Sequence, residues 1–130
     1  FLNFFDGAEN AFVSAYRKYK ENQFSFNVHI EYIASPLITD KTLIITDPML
    51  ATGGSMELSY HALLTKGKPK HVHIATIIAS QQAVDYLKEK FPDTNTTIWA
   101  AAVDPELDEH SYIVPGLGDA GDLAYGSKED

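Results

Sequence analysis

The sequence predicts an α/β protein in which a mostly parallel sheet is flanked by helices. Two observations lead to this prediction: helix-like segments alternate with apolar runs, and the runs are continuous, as in buried parallel strands. The spacing between the runs is that of right-handed βαβ units. With 130 residues, of which 45% are hydrophobic, the chain can bury one core, so residues 1–130 are predicted to form a single domain.

The segment that precedes the sheet is predicted to contain two strands. FLNFF, residues 1–5, has the pattern of the last turn of an amphipathic helix that ends at Asp6 and Gly7. NAFVSAY, residues 10–16, mixes β-branched, aromatic and small side chains, which favours a strand. A polar loop over 17–24 is predicted to follow, and then a half-buried strand over 26–34, where FNVHIEYIA alternates in polarity.

Three apolar runs predict the strands of the parallel sheet. They are TLIIT at 42–46, HVHIATIIA at 71–79 and TTIWAAA at 96–102. Trp99 is therefore predicted to lie in the core, and His71 and His73 are predicted to pack rather than to bind a metal, because no third ligand accompanies them. From Val103 onward, the density of Asp, Glu, Pro and Gly predicts a loop.

Two helices are predicted to connect these strands. The first begins after Gly54, ends at Gly67 and has one apolar face, formed by Met56, Tyr60, Leu63 and Leu64. The second spans residues 80–91, with Ser80 as its N-cap and Pro92 after its end. In sheets of this kind ligands bind beyond the carboxyl ends of the strands, which places the candidate site at the first strand-to-helix connection.

The composition narrows the class of protein. A net charge of −8 argues against a protein that binds duplex nucleic acid through its overall charge. No apolar run approaches the ~20 residues of a membrane span, and FLNFF has no basic segment before it as a signal peptide would. The lack of cysteine excludes disulfides and fits a reducing compartment, so the cytoplasm is the predicted location.

The connection TDPMLATGGS, residues 46–55, has the composition of an anion site. The N-terminus of a helix offers N–H groups and partial positive charge to a phosphate, and Gly53 and Gly54 would let the backbone approach it closely. Thr52 and Ser55 add hydroxyl donors, and Asp47 could accept from sugar hydroxyls or, through water, hold a cation. The alternative is an ordinary βα turn, since neither G-x-x-x-x-G-K-[ST] nor G-x-G-x-x-G is present.

Together with YIVPGLGDAGD at 112–122, this segment closely resembles the uracil phosphoribosyltransferases, which are type I phosphoribosyltransferases. Members carry near-identical DPMLATGGS and YIxPGLGDAGDR segments in this order, and the resemblance is strong from about residue 42 to 125. It implies the type I phosphoribosyltransferase fold. It also implies a glycosyltransferase that converts uracil and phosphoribosyl pyrophosphate to uridine monophosphate and pyrophosphate in pyrimidine salvage.

The resemblance assigns the phosphoribosyl pyrophosphate site to segment 42–55. Asp47 would meet the ribose hydroxyls, residues 51–55 would cradle the 5-phosphate, and Asp119 would lie near the ribosyl pyrophosphate; Asp47 and Asp119 are the implied catalytic residues. Arg17 matches an arginine of the family's LYRD segment, although a solvated basic turn is an equal alternative. The full implied set is Arg17, Asp47, Pro48, Met49, Leu50, Ala51, Thr52, Gly53, Gly54, Ser55 and Asp119.

Region 103–127 is implied to bind uracil, through the family positions matched by Ile113, Gly118, Asp119 and Ala120. Backbone N–H, C=O and N–H groups would satisfy the acceptor, donor and acceptor along one edge of uracil. Cytosine has an amino donor in place of one acceptor and lacks the N3 proton, so it would place donor against donor and acceptor against acceptor. A site of this kind can discriminate strongly between uracil and cytosine. By itself the segment would be interpreted as a surface turn. The acidic residues before it, Asp104, Glu106, Asp108 and Glu109, are predicted to form a solvated loop, unless one of them orders the site.

The resemblance also implies Mg²⁺, bound through pyrophosphate rather than by protein ligands, a homo-oligomer, and GTP as a candidate effector known from some members. The chain departs from the family in two respects. An ILRAG segment that holds pyrophosphate in members is not found, and Ala34 stands where members often have Lys. The expectation is therefore a carboxy-terminal portion of the enzyme. The alternatives are an inactive fragment or a non-catalytic regulator that binds ribosyl phosphates.

Overall fold

The computed structural model describes residues 1–19, 26–91 and 95–126, with backbone alone for 15–19 and 26–31. In chain order the elements are β1 (Phe12–Tyr19), β2 (Phe26–Ala34), β3 (Thr42–Leu50), α1 (Gly54–Leu63), a 3₁₀ turn (Leu64–Lys66), β4 (His71–Ser80), α2 (Gln81–Lys90), β5 (Thr96–Asp104), β6 (Glu106–Leu107), β7 (Ile113–Val114) and α3 (Ala120–Tyr125).

Strands β3, β4 and β5 form a parallel sheet in that order, as predicted. Helices α1 and α2 lie on one face, where the core contains Val72 and Ile74 of the sheet and Leu87 of α2, all three at 0% exposure. Helix α1 contributes its predicted apolar face, and the chain turns out of it at Gly67, which has φ +123°. The strand–helix–strand–helix–strand order thus gives the βαβ units that the sequence predicts.

Strand β3 extends beyond its predicted end at Thr46 and runs to Leu50. The sequence prediction stopped early because Asp and Pro are typical of turns. Within the described residues β3 pairs on one side only, with β4, so Pro48 removes no ladder hydrogen bond on the unpaired side. The whole DPML segment is therefore strand, and only residues 51–53 connect β3 to α1.

Strands β1 and β2 form a separate antiparallel hairpin. The predicted strand over 26–34 is confirmed, whereas the predicted loop that begins at residue 17 is wrong as far as Tyr19, since β1 continues to that residue. Residues 20–24 of that loop lie outside the described residues. Residues 1–5 form a turn, with the N–H of Phe5 on the carbonyl of Phe1 at 3.0 Å, rather than helix.

The face of the sheet opposite the helices is exposed. Side chains of a strand alternate between faces, and Ile98 packs into the core while its neighbour Trp99 is 58% exposed. The core prediction for Trp99 is therefore wrong. Its Nε1 donates to Nδ1 of His73 at 3.1 Å, while Nε2 of His71 lies 2.9 Å from the hydroxyl of Thr97. An apolar run identifies a strand without showing which of its faces is covered.

The carboxy-terminal region is more ordered than the sequence predicts. The chain after Val103 forms the β6–β7 pair and the six-residue helix α3 rather than one long loop. These elements are too short to produce a periodic pattern, and their Gly, Pro and Asp residues obscure them. In the part of the chain that the structure describes, no helix is long and apolar enough to cross a membrane.

Candidate functional site

The first predicted segment forms a tight turn between β3 and α1. Gly53 is the N-cap of α1 at φ +83°, a conformation that favours glycine, and no side chain caps the first turn of the helix. The turn is held by the core, because Leu50 and Ala51 are 2% and 4% exposed. Thr52, Gly54 and Ser55 are half-buried, so the start of α1 presents backbone and hydroxyl groups near the surface.

Asp47 lies within β3 and one of its carboxylate oxygens is engaged locally. Its Oδ1 accepts from the backbone N–H of Met49 at 3.0 Å. Asp47 is half-buried and is among the residues that line a cavity of about 520 Å³, together with Thr76, its partner in the ladder, and Trp99. A cavity of this volume is within the range that small-molecule ligands occupy. The carboxylate thus orders the Asp-Pro-Met segment, and the residue borders a space that could receive a ligand.

The two motifs, which are some sixty residues apart in sequence, meet in a small core. Ala51 of the first motif, Ile113 of the second and Ile78 of β4 are all buried and pack together, with Met49 and Leu107 against them. Their exposures are 4%, 2% and 8%. The contact lies at the carboxyl end of the sheet, since residue 78 is two residues before the end of β4. This is the edge at which ligands of parallel α/β sheets bind.

The second motif is held by Asp104, a residue that the sequence prediction assigned to a solvated loop. Its Oδ2 accepts from the backbone N–H of Gly116 at 2.9 Å, which joins the end of β5 to the turn after Ile113. Asp108 is exposed, yet its Oδ1 accepts from the N–H groups of His110 and Tyr112. Two of the four acidic residues therefore order the segment that leads into the predicted uracil site. In the sequence, the only indication of this role was that a carboxylate can accept backbone hydrogen bonds.

The remaining predicted uracil residues follow that turn. Gly118 is exposed at φ +83°. Asp119 is the N-cap of α3, and its Oδ1 accepts from the N–H of Asp122 at 2.9 Å. Ala120 begins the helix. The side chain of Arg17 is not among the described ones, so the structure places only its backbone, in β1 opposite Val28.

Two residues of the adjoining β4–α2 segment bind the first motif or the helix that follows it. Ser80 caps α2 as predicted, by accepting from the N–H of Ala83 at 2.9 Å, and it also donates to the carbonyl of Ala51 at 2.5 Å. Tyr86 of α2 donates to Glu57 of α1. Neither the Ala51 contact nor the Glu57 contact was predicted, because each joins residues 29 apart in sequence.

The hydrogen bond to the Glu57 carboxylate is the main cause that raises the pKa of Tyr86 above its ordinary value. Burial adds to this, and so do the negative charges of Glu57 and Glu89. Lys90, whose Nζ lies 5.6 Å from the centre of the ring, is the cation that faces Tyr86 from its own helix. The protonated phenol therefore ties α2 to the first turns of α1.

This pKa shift predicts an alkaline dependence of stability. A folded-state pKa above the unfolded value gives stabilisation that is complete below the unfolded pKa, near 10, and is lost as pH rises through the folded pKa. Tyr86→Phe should therefore be less stable than the unsubstituted chain at pH 7–9, and the difference should shrink above pH 10. Urea unfolding from pH 7 to 11 measures it, with Tyr125→Phe, which is 94% exposed, as the matched hydroxyl deletion. A constant difference across that range would contradict the assignment.

A βαβαβ sheet with a glycine turn at the carboxyl end of its first strand, joined there to a second glycine-rich turn, is the arrangement of a phosphoribosyltransferase-type protein. The family model described as uracil phosphoribosyltransferase matches residues 3–127. The chain therefore belongs to the uracil phosphoribosyltransferase family.

Individual relatives agree with this. A uracil phosphoribosyltransferase of Porphyromonas gingivalis is 77% identical over 128 residues, which is 98% of this chain and 58% of that protein. One from Methanothermobacter thermautotrophicus is 38% identical over 99% of this chain and 57% of that protein. A solved structure of the AQ2163 protein from Aquifex aeolicus matches with a TM-score of 0.84 at 33% identity, over 96% of this chain and 57% of that one. The chain thus spans somewhat more than half the length of the relatives it matches.

Proposed function

We propose that this chain carries the ribosyl-phosphate and uracil sites of a uracil phosphoribosyltransferase, which forms uridine monophosphate and pyrophosphate in pyrimidine salvage. The observation that carries the proposal is the packing of Ala51 and Ile113 against Ile78. It places the glycine turn of the first motif next to the start of the second motif. A sugar phosphate bound at the first turn would then have its reacting carbon near a base bound at the second. Family membership and the names of the relatives support the same activity.

In the proposed reaction, N1 of uracil forms a bond to C1 of the ribose while the bond from C1 to the pyrophosphate oxygen breaks. The N1 proton leaves to solvent, and the electron pair of the broken bond leaves with pyrophosphate. Positive charge develops at C1, so catalysis consists mainly of positioning and charge stabilisation. Asp47 would fix the ribose hydroxyls, and the start of α1 would hold the 5-phosphate through its N–H groups and dipole.

The residues present fit a Mg²⁺ ion that arrives with pyrophosphate. Across residues 1–19, 26–91 and 95–126, no three His, Cys, Asp or Glu side chains are grouped to hold a metal ion by themselves. Asp47, at the end of the proposed ribose site, is the acidic side chain that a hydrated ion could meet through water. When bound, the ion would neutralise charge on the leaving pyrophosphate.

The partners included in the proposal are uracil, phosphoribosyl pyrophosphate and further copies of the chain in a homo-oligomer. The exposed apolar side chains of β4 and β5, Ile77, Trp99 and Val103, support association, since soluble proteins rarely leave a large apolar patch uncovered. GTP as an effector rests on the resemblance to some members. A cytoplasmic location is proposed from the lack of cysteine in the sequence.

Ligand titration of the 130-residue chain tests the proposed function. Calorimetry should show binding of ribose 5-phosphate and of phosphoribosyl pyrophosphate with Mg²⁺, followed by uracil, and amide shifts should map the phosphate to residues 52–55. Gly53→Ala should weaken ribose 5-phosphate binding by roughly tenfold or more. The added Cβ would lie 2.9 Å from Cδ1 of Tyr86, and an alanine at φ +83° costs about 1–2 kcal/mol.

Gly7→Ala is the matched control, because a Cβ at Gly7 meets nothing within 4 Å. It should bind ribose 5-phosphate as the unsubstituted chain does. Failure of the chain to bind any ribosyl phosphate, or binding that leaves the amides of 52–55 unshifted, would overturn the proposed site.

A further inference from the structure

We propose that Ser80 is a positioning residue for the phosphate turn, residues 51–53, and holds it in the geometry that receives the ribosyl phosphate. This inference rests on the proposed function, because it concerns how that same site is kept in shape. Ser80 is the last residue of β4 and the N-cap of α2, so it lies at a different strand-to-helix connection from the turn. Because it is 0% exposed, it would act through Ala51 rather than on the ligand itself.

The hydroxyl of Ser80 accepts one hydrogen bond and donates another. It accepts from the N–H of Ala83 at 2.9 Å and donates to the carbonyl of Ala51 at 2.5 Å. An N-cap needs only the first of these bonds, which Asp or Asn would also supply. The second bond requires a donor, and the ionised side chain of Asp has none. The hydroxyl therefore does more than cap its own helix.

Burial makes the bond to Ala51 consequential. Ser80 is 0% exposed and is the one buried polar residue among those that the structure describes. Ala51 is 4% exposed. Water cannot easily replace a bond between two groups at this depth, so loss of the hydroxyl would leave the Ala51 carbonyl unsatisfied. The turn would be expected to shift until that carbonyl finds another partner.

A second contact from the same segment limits how far the turn can move. The Tyr86 ring lies against Gly53, and Leu87 lies beside it, at 2.9 and 3.4 Å from the position of an added Cβ. The Tyr86 hydroxyl binds Glu57, whose own N–H bonds the carbonyl of Gly53 at 3.0 Å. Ser80 therefore fixes the start of the turn, and Tyr86 supports its end. Helix α2 thus restrains a turn to which it is not adjacent in sequence.

The test compares Ser80→Ala with Ser80→Thr, which retains a hydroxyl, and with Val72→Ala, a core truncation of the same strand far from the turn. Val72 is also 0% exposed, so both Ala variants lose buried contacts. Two quantities are measured on the 130-residue chain: amide hydrogen exchange of residues 51–55 without ligand, and the dissociation constant for ribose 5-phosphate. The free energy of unfolding is measured for each variant to compare global destabilisation.

We expect Ser80→Ala to speed exchange in 51–55 beyond what its change in global stability accounts for, and to weaken ribose 5-phosphate binding roughly tenfold. Val72→Ala should leave the dissociation constant within about twofold, and Ser80→Thr should recover most of the affinity. If Ser80→Ala matches Val72→Ala in both measurements, the positioning role is overturned. If the unsubstituted chain binds no ribose 5-phosphate, the proposed function fails, while the exchange comparison still decides whether Ser80 holds the turn.

Discussion

Gly116→Ala is expected to reduce the proposed binding of uracil by roughly 10²-fold or more. A Cβ built at this position lies 1.9 Å from the carbonyl oxygen of Ile113 and 2.7 Å from its carbonyl carbon. The obstacle is backbone, so no side-chain rotation can relieve it. The φ of +54° adds a penalty of about 1–2 kcal/mol for a non-glycine residue. The turn must therefore open.

Opening this turn would separate the groups that are proposed to read the base. Ile113 lies on one side of Gly116, and Gly118 and Ala120 lie on the other, so their backbone groups keep a common geometry only while the turn holds. Asp104 would also lose its partner, because it accepts from the N–H of Gly116 at 2.9 Å. Loss of the backbone hydrogen bonds along one edge of uracil, at about 1 kcal/mol each, together with the strain at Gly116, sets the size of the expected loss in affinity.

Calorimetric titration with uracil in the presence of phosphoribosyl pyrophosphate measures this effect. Gly118→Ala is the informative comparison, because it imposes the same kind of strain at φ +83° but its added Cβ meets nothing within 4 Å. It should lose less affinity than Gly116→Ala. A Gly116→Ala chain that binds uracil within threefold of the unsubstituted chain would contradict the proposed role of this turn. Affinity for ribose 5-phosphate should change little in either variant.

The parts of the fold that the sequence predicted are those with long, periodic apolar patterns. Strand β2 was predicted from its alternating polarity and helix α1 from its apolar face, because each pattern repeats with the period of its element. The end of β3 was missed because Asp47 and Pro48 are typical of turns, whereas an edge strand tolerates Pro. Strands β6 and β7 have two residues each, which is too few for any period to show.

The sequence predicted which segments belong to the candidate site but not how those segments contact one another in space. TDPMLATGGS and YIVPGLGDAGD identify the two motifs from residue order alone. The bonds that join them to the sheet connect Ser80 to Ala51 and Asp104 to Gly116, across 29 and 12 residues. Such pairs depend on which strand ends the sheet brings together, and local composition does not predict that. Trp99 shows the same limit, because its exposure depends on what covers the second face.

Asp47→Asn is expected to weaken ribose 5-phosphate binding by about 2–3 kcal/mol, or roughly 30- to 150-fold, and inorganic phosphate binding by much less. The loss is that of charge-assisted hydrogen bonds from two ribose hydroxyls, which inorganic phosphate does not have. The structure makes asparagine a suitable replacement. Its side-chain oxygen can still accept from the N–H of Met49, the bond that orders the segment after Asp47.

Asp47→Ala separates the two roles of this carboxylate, because it removes both the charge and the bond to the Met49 N–H. If the side chain only orders the segment, Asp47→Asn should bind both ligands as the unsubstituted chain does, while Asp47→Ala should lose affinity for both. If it holds the ribose hydroxyls, Asp47→Asn should already lose most of the affinity for ribose 5-phosphate. Titrations of the two ligands into the three chains measure this. A loss for both ligands in Asp47→Ala, with none in Asp47→Asn, would show that the side chain orders the segment after it and does not hold the ribose hydroxyls.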